Sequence, residues 1–286
     1  MDPIVFLLIL GAAFMHATWN SLIKSGGDPW IRLGMVMGFS GLIGLVFIPF
    51  VAFPEPAAWP YLAASVVIHL IYFICISQGY KYGDLSQVYP LQRGIAPVLV
   101  AVGAYVIIGE TLSPVGILAV IIVSFSILSL ALNKTLEKGW VVHNLPAVLI
   151  ALLTGTMIAL YSVSDGIGGR LSGDVFGYIV WLEIFDAVFF IPLVILHYYL
   201  SPKRAVRRHL KTGLIGGALS FLAYGLVIWA MEQEKLTYVS ALRESSVIIA
   251  AWIGSRFLNE PMGPRRITAA VIAMIGIVLL QLNRTF

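Results

Sequence analysis

The sequence predicts an all-α, polytopic membrane protein of ten transmembrane helices arranged as two inverted five-helix repeats. Three observations carry that prediction. First, 59% of the 286 residues are hydrophobic and only 11% are charged, with a mean hydropathy of +0.94. Soluble domains carry about 25% charged residues, so this chain could not cover a water-facing surface. Second, the hydrophobic residues fall in runs of about twenty, long enough to span a bilayer, separated by short turns rich in Gly, Pro and charge. Third, the chain repeats itself. Sliding it by 150 residues lays 85–130 on 235–280 without a gap, matching Arg93 to Arg243, Glu110 to Glu260, Pro114 to Pro264 and Ala119 to Ala269. Five helices per repeat is an odd number. The second repeat must therefore enter the membrane in the opposite sense, an architecture characteristic of transporters.

Taken in order, the first span covers 3–23 and contains His16, Trp19 and Asn20. It lacks a basic leader and reads as a helix, not a cleavable signal. The Ser25-Gly26-Gly27-Asp28-Pro29 cluster ends it. The second span, 31–52, carries Gly34, Gly38, Gly41 and Gly44 on one side, a spacing that lets helices approach closely in lipid. The third, 60–79, holds His69 near its middle. The fourth, 89–110, carries Arg93 beside Gly94 and close to Pro97, and the fifth runs from the ETLSP turn to 132. Residues 133–144 are the longest polar stretch of the first half and read as a linker, so the predicted units are 1–132 and 145–286. Spans six to ten are expected near 145–165, 174–199, 212–231, 237–258 and up to 282, with GIGGRLSGD (166–174) as a loop.

Lys and Arg are distributed unevenly. The loops on the side of the first turn hold Lys24, Arg32, Lys81, Lys134, Lys138, Lys203, Arg204, Arg207, Arg208, Lys211, Arg265 and Arg266, with Arg256 close by, whereas the other side holds Arg170, Lys235 and Arg284. That bias, about four to one, places the basic side in the cytoplasm and both termini outside. The single cysteine, Cys75, excludes an internal disulfide.

Polar residues at membrane depth are expensive and mark candidate sites. One group is Arg93 with Tyr89 and Gln92, and its counterpart Arg243 with Glu244, Ser245 and Ser246. A guanidinium offers a fork of donors suited to a carboxylate or phosphate. Arg93 is read as the seat of a solute's anionic group and Arg243-Glu244 as a buried ion pair. The structural alternative has each arginine paired to a carboxylate or snorkelling to its nearer surface. A second group is Glu183 and Asp186, whose i, i+3 spacing sets both carboxyls on one helix face. They are candidates for proton coupling, or for salt bridges to Arg93 or Arg243. His16 and His69 are candidate proton relays, or simply hydrogen-bonded to a neighbouring helix. Asn20, Trp19, Tyr72 and Tyr224 are candidate solute contacts, with Trp181 and Trp229 as further aromatics that could equally be packing. Glu110 and Glu260 are read as caps for the helices that follow them. No metal-ligand spacing, nucleotide loop or nucleophile elbow is present, so no cofactor is expected and the chain is read as not an enzyme.

HATWNSLIK (16–24), VYPLQRGIAP (88–97), YSVSDGIGGR (161–170) and ALRESS (241–246), in this order on ten helices, resemble the drug/metabolite transporter superfamily, EamA type. The resemblance covers essentially the whole chain. It implies a central cavity lined by both repeats, alternating access, and a multi-pass location in a bacterial inner membrane. It also implies cytoplasmic termini, opposite to the charge bias. The function expected is secondary-active transport, as an exporter, of a small polar metabolite such as an amino acid or other zwitterionic or anionic solute. The alternative is a flippase for lipid head groups on the same fold. Expected partners are the solute and the bilayer, with no nucleic acid, the protein being a monomer or homodimer.

Overall fold

The computed structural model describes residues 2–24, 28–82, 85–138, 145–200, 210–249, 252 and 264–282. The described residues contain no strand and fold into helices α1 (Pro3–Lys24), α2 (Pro29–Phe47), α3 (Trp59–Tyr82), α4 (Leu85–Ile108), α5 (Pro114–Lys138), α6 (Leu145–Leu171), α7 (Val175–Leu200), α8 (Leu210–Gln233), α9 (Leu236–Arg243) and α10 (Pro264–Leu282). Short 3₁₀ turns, Ile48–Phe50 and Pro56–Ala58, join α2 to α3. Seven of the described helices are long and apolar enough to cross a membrane.

Local chemistry sets the helix ends. Pro3, Pro29, Pro114 and Pro264 each begin a helix, where a missing N–H leaves no bond unmade. Asp28 caps α2, its Oδ1 accepting from the Trp30 N–H at 2.9 Å. Gly109, with φ +67°, closes α4 in the left-handed conformation, and the Glu110 N–H reaches back to the Ala104 carbonyl at 3.1 Å.

The packing has the pseudo-twofold pattern expected of a repeat. α1 packs on α8 as α6 packs on α3, while α2 meets α7 and α5 meets α10 across the axis. The glycine stripe of α2 makes its approach possible. Cβ atoms built on Gly34, Gly41 and Gly44 would lie 2.6 Å from a Val194 methyl, 2.4 Å from the Ala187 Cβ and 2.9 Å from the Ile184 side chain, all on α7. On α8, a Cβ at Gly217 would meet the Phe39 Cβ at 2.6 Å and the Val36 carbonyl at 2.9 Å. Backbone cannot give way as a flexible side chain can. Gly217→Val is therefore expected to cost about 1–3 kcal/mol by overpacking, read as a lowered unfolding midpoint in detergent. An unchanged midpoint would show that α2 and α8 can part freely.

Three boundaries differ from expectation. The GIGGR stretch is not a loop but the end of α6. Its small residues accept neighbours, Gly166 taking the Leu236 side chain and Gly168 the Tyr178 ring. α5 continues to Lys138, so the first part of the expected linker is helical, and 139–144 lie outside the described residues. The ninth span is interrupted at Glu244, a turn between α9 and the helical segment 245–249.

At the end of the bundle that carries the N-terminus, the two halves are tied together. The Ala52 N–H donates to Asp174 Oδ2 at 3.0 Å and the Glu55 N–H to the Ser172 carbonyl at 3.0 Å. Ser164 Oγ donates to the Tyr61 carbonyl at 2.9 Å. Glu110 accepts from the Leu236 N–H at 2.9 Å, the Thr237 N–H at 3.1 Å and the Thr237 hydroxyl at 2.8 Å. Its carboxylate thus caps α9 of the other half, not α5 as its position in GETLSP suggested. Glu260 lies outside the described residues. At the opposite end His197 Nε2 meets Asp28 Oδ2 at 2.9 Å, again joining the halves.

Candidate functional site

A cavity of about 40 Å³ lies inside the bundle, walled by three helices of each half. α1 contributes His16 and Trp19, α2 Met37, and α3 His69, Tyr72 and Phe73. From the second half come Tyr161 of α6, Glu183 and Asp186 of α7, and Ser220 and Tyr224 of α8. The space suits a few waters.

The first charged cluster stands on the cavity wall. His69 Nδ1 lies 2.7 Å from Asp186 Oδ2, and His69 Nε2 lies 3.9 Å from Asp165 Oδ2. Asp165 is held by two phenols. Tyr178 donates to Oδ1 at 2.9 Å and Tyr224 donates to Oδ2. Glu183 accepts from Ser40 Oγ at 2.5 Å. All four ionisable groups are buried. An imidazole set between two carboxyls can take up a proton at one nitrogen and yield one at the other. The expected salt bridges from Glu183 or Asp186 to Arg93 or Arg243 do not form. On α7 these carboxyls face α2 and α3, whereas the arginines stand on α4 and α9.

The second cluster is buried as well. Arg93 and Arg243 are each 1% exposed, which rules out snorkelling, and Glu244 between them is 0% exposed. Arg93 Nε lies 2.9 Å from Glu244 Oε2, while Arg243 Nε lies 3.8 Å from Oε1. Arg93 Nη2 also donates to Ser246 Oγ at 3.1 Å, and Arg243 Nη2 to Ser162 Oγ at 3.2 Å. The Arg243 guanidinium sits over the Tyr161 ring, 5.8 Å from its centroid. The anticipated division of labour is thus reversed in geometry. The tighter contact of Glu244 is with Arg93, and Arg243 is the looser partner, stacked on a ring that lines the cavity.

Of the other candidates, Tyr72 and Tyr224 line the cavity, as do His16 and Trp19, whose rings meet edge-on at 5.0 Å. Asn20 instead donates back along its own helix to the His16 carbonyl at 2.9 Å. Gln92 is buried at the α4–α6 contact, where its carbonyl faces Gly155. Trp181 packs against Phe53 and Phe185, and the half-buried Trp229 packs against the hydrophobic core. The Tyr89 side chain lies outside the described residues. Sequence reasoning missed Asp165, Ser40, Tyr161 and Tyr178. Asp165 had a usable signal: once GIGGR is read as helix, it becomes a carboxyl more than a turn inside a span.

The sequence matches the EamA-like transporter family over residues 3–132 and 145–282. Among curated proteins no match is found. A solved structure titled only "Crystal structure of protein" superposes with a TM-score of 0.76 at 14% identity, covering 99% of both chains, and so shares the fold. Ten helices in two repeats, buried ionisable groups around a shared cavity, and a family match over both halves have one reading: this multi-pass membrane protein belongs to the EamA-like transporter family of the drug/metabolite transporter superfamily.

Proposed function

We propose that the protein is a secondary-active exporter of a small polar metabolite, an amino acid or similar zwitterion, working by alternating access around the central cavity. The observation that carries this reading is the cavity's position between halves with buried charge on each side of it. Charge at membrane depth is expensive, and here it is gathered on helices of both halves around one space. A closed bundle end tied by Glu110, Asp174 and Ser164 is what one extreme of such a cycle needs. His69, Asp186 and Glu183 supply a proton-holding group within reach of the solute space, and we assign coupling to them, with His16 as a neighbour. The protein acts as a monomer or homodimer in the inner membrane.

The test is solute counterflow in proteoliposomes. Vesicles preloaded with an unlabelled amino acid should accumulate the labelled form, and an imposed pH gradient should drive net flux. Scrambling of labelled lipid without solute flux would overturn this reading in favour of a flippase.

A further inference from the structure

Which part of a solute would this cavity recognise? We propose that it recognises a protonated amine, seated on Asp186 within an aromatic wall; this rests on the transporter reading and deepens it. The sequence pointed to the arginines, hence to an anion. The geometry points the other way.

Among the described residues that line the cavity are two carboxyls, Glu183 and Asp186, and no lysine or arginine. Asp165 stands just behind, 3.9 Å from His69. These three carboxyls outnumber the cavity's two histidines even when both are charged. The arginines are not on the wall. Arg93 lies 2.9 Å from Glu244, and the Arg243 guanidinium stands over the Tyr161 ring. An anionic group entering this space would meet carboxyls first.

Three residues that line the cavity carry a buried polar atom without a hydrogen-bond partner: Asp186 at Oδ1, Trp19 at Nε1, and His69 at Nδ1, which keeps only its 2.7 Å ion contact with Asp186 Oδ2. Asp186 is 3% exposed, and its Oδ2 is taken by His69 while Oδ1 has no donor. Trp19 is 4% exposed, and its Nε1–H has no acceptor. A buried polar atom left unsatisfied is destabilising, so such atoms call for a ligand of complementary chemistry. An ammonium brings three donors, one of which suits Asp186 Oδ1. The rest of the wall suits a cation as well. The rings of Trp19, Tyr72, Phe73, Tyr161 and Tyr224 surround the same space, and aromatic faces attract ammonium groups. Trp19 Nε1–H then contacts an acceptor on the same solute, such as a carboxylate or hydroxyl. The recognised unit is an amine with a nearby acceptor, and the amine is the part that is required.

The experiment compares matched probes on the purified full-length protein. Leucine, isoamylamine and 4-methylvalerate form one set; phenylalanine, phenethylamine and 3-phenylpropionate form another. Binding is read by calorimetry and transport by counterflow. The amino acid and the amine should bind, with the carboxylate-only member at least tenfold weaker. Asp186→Asn should weaken the amine at least tenfold. Trp19→Phe should weaken the amino acid but not the amine. The comparison on the wild type stands even where a variant fails to fold. Carboxylates that bind as tightly as amines, or amine binding that survives in folded Asp186→Asn, would overturn the proposal. The two readings fail separately. Carboxylates that bind and cross leave the transporter reading standing and remove the amine seat. Amines that bind without crossing do the reverse.

Discussion

Replacing Glu244 by glutamine is expected to destabilise the folded bundle by about 3–5 kcal/mol, the range found when one partner of a buried ion pair is removed. Glu244 is 0% exposed and is the carboxylate that lies between Arg93 and Arg243. Glutamine keeps the shape and removes the charge. Two guanidiniums, each 1% exposed, would then share a low-dielectric interior without the carboxylate that stands beside both. The measurement is the unfolding midpoint in detergent, which should fall sharply. Arg243→Met added to Glu244→Gln should recover part of the loss, because one of the two neighbouring like charges is gone. An unchanged midpoint in the single variant would mean that the arginines draw their compensation from elsewhere.

Arg243→Met alone is expected to fold and yet to transport poorly. The two arginines are not equivalent, since the 2.9 Å contact of Glu244 is with Arg93 and the 3.8 Å contact is with Arg243. Removing Arg243 leaves a neutral Arg93–Glu244 pair, so the unfolding midpoint should hold or rise. Counterflow should drop roughly tenfold or more, a change equivalent to about 1.4 kcal/mol, because the Tyr161 ring, which lines the cavity, loses the guanidinium stacked on it. Arg93→Met should behave in the opposite order and lose stability first. Wild-type counterflow in Arg243→Met would free Arg243 from any part in solute handling.

Much of this architecture was legible in the sequence because membrane helices advertise themselves. The offset matching Arg93 to Arg243, the Asp28-Pro29 start of α2 and the glycine stripe that faces α7 all follow from local rules. Partner choice does not. Glu244 follows Arg243 directly in the chain, and that adjacency suggested a pair. Adjacent residues on a helix point about 100° apart, so Glu244 reaches Arg93 on another helix more closely than it reaches its neighbour. Glu110 misled for a related reason. A carboxylate at a chain turn can cap whichever helix start lies nearest in space, and here that is α9. Asp165 was hidden by its glycines, which signal a loop in water but close helix contact in lipid. The carboxyls at 183 and 186 were visible at depth, but the identity of their partners, Ser40 and His69, depended on which helices flank α7.

The Glu110 contact also bears on how the chain is built. The residue preceding α9, Lys235, makes no side-chain cap, and the Leu236 and Thr237 N–H groups are answered by a carboxylate 126 and 127 positions earlier. Lys235 itself donates to the Thr111 carbonyl on the same earlier turn. The start of α9 is therefore left without this protein partner as it emerges from synthesis, and gains it only when the α4–α5 turn, already in the membrane, is brought alongside. Sealing that end of the bundle therefore waits on α9, and a chain ending before α9 would leave the half-buried Glu110 carboxylate without these three donors.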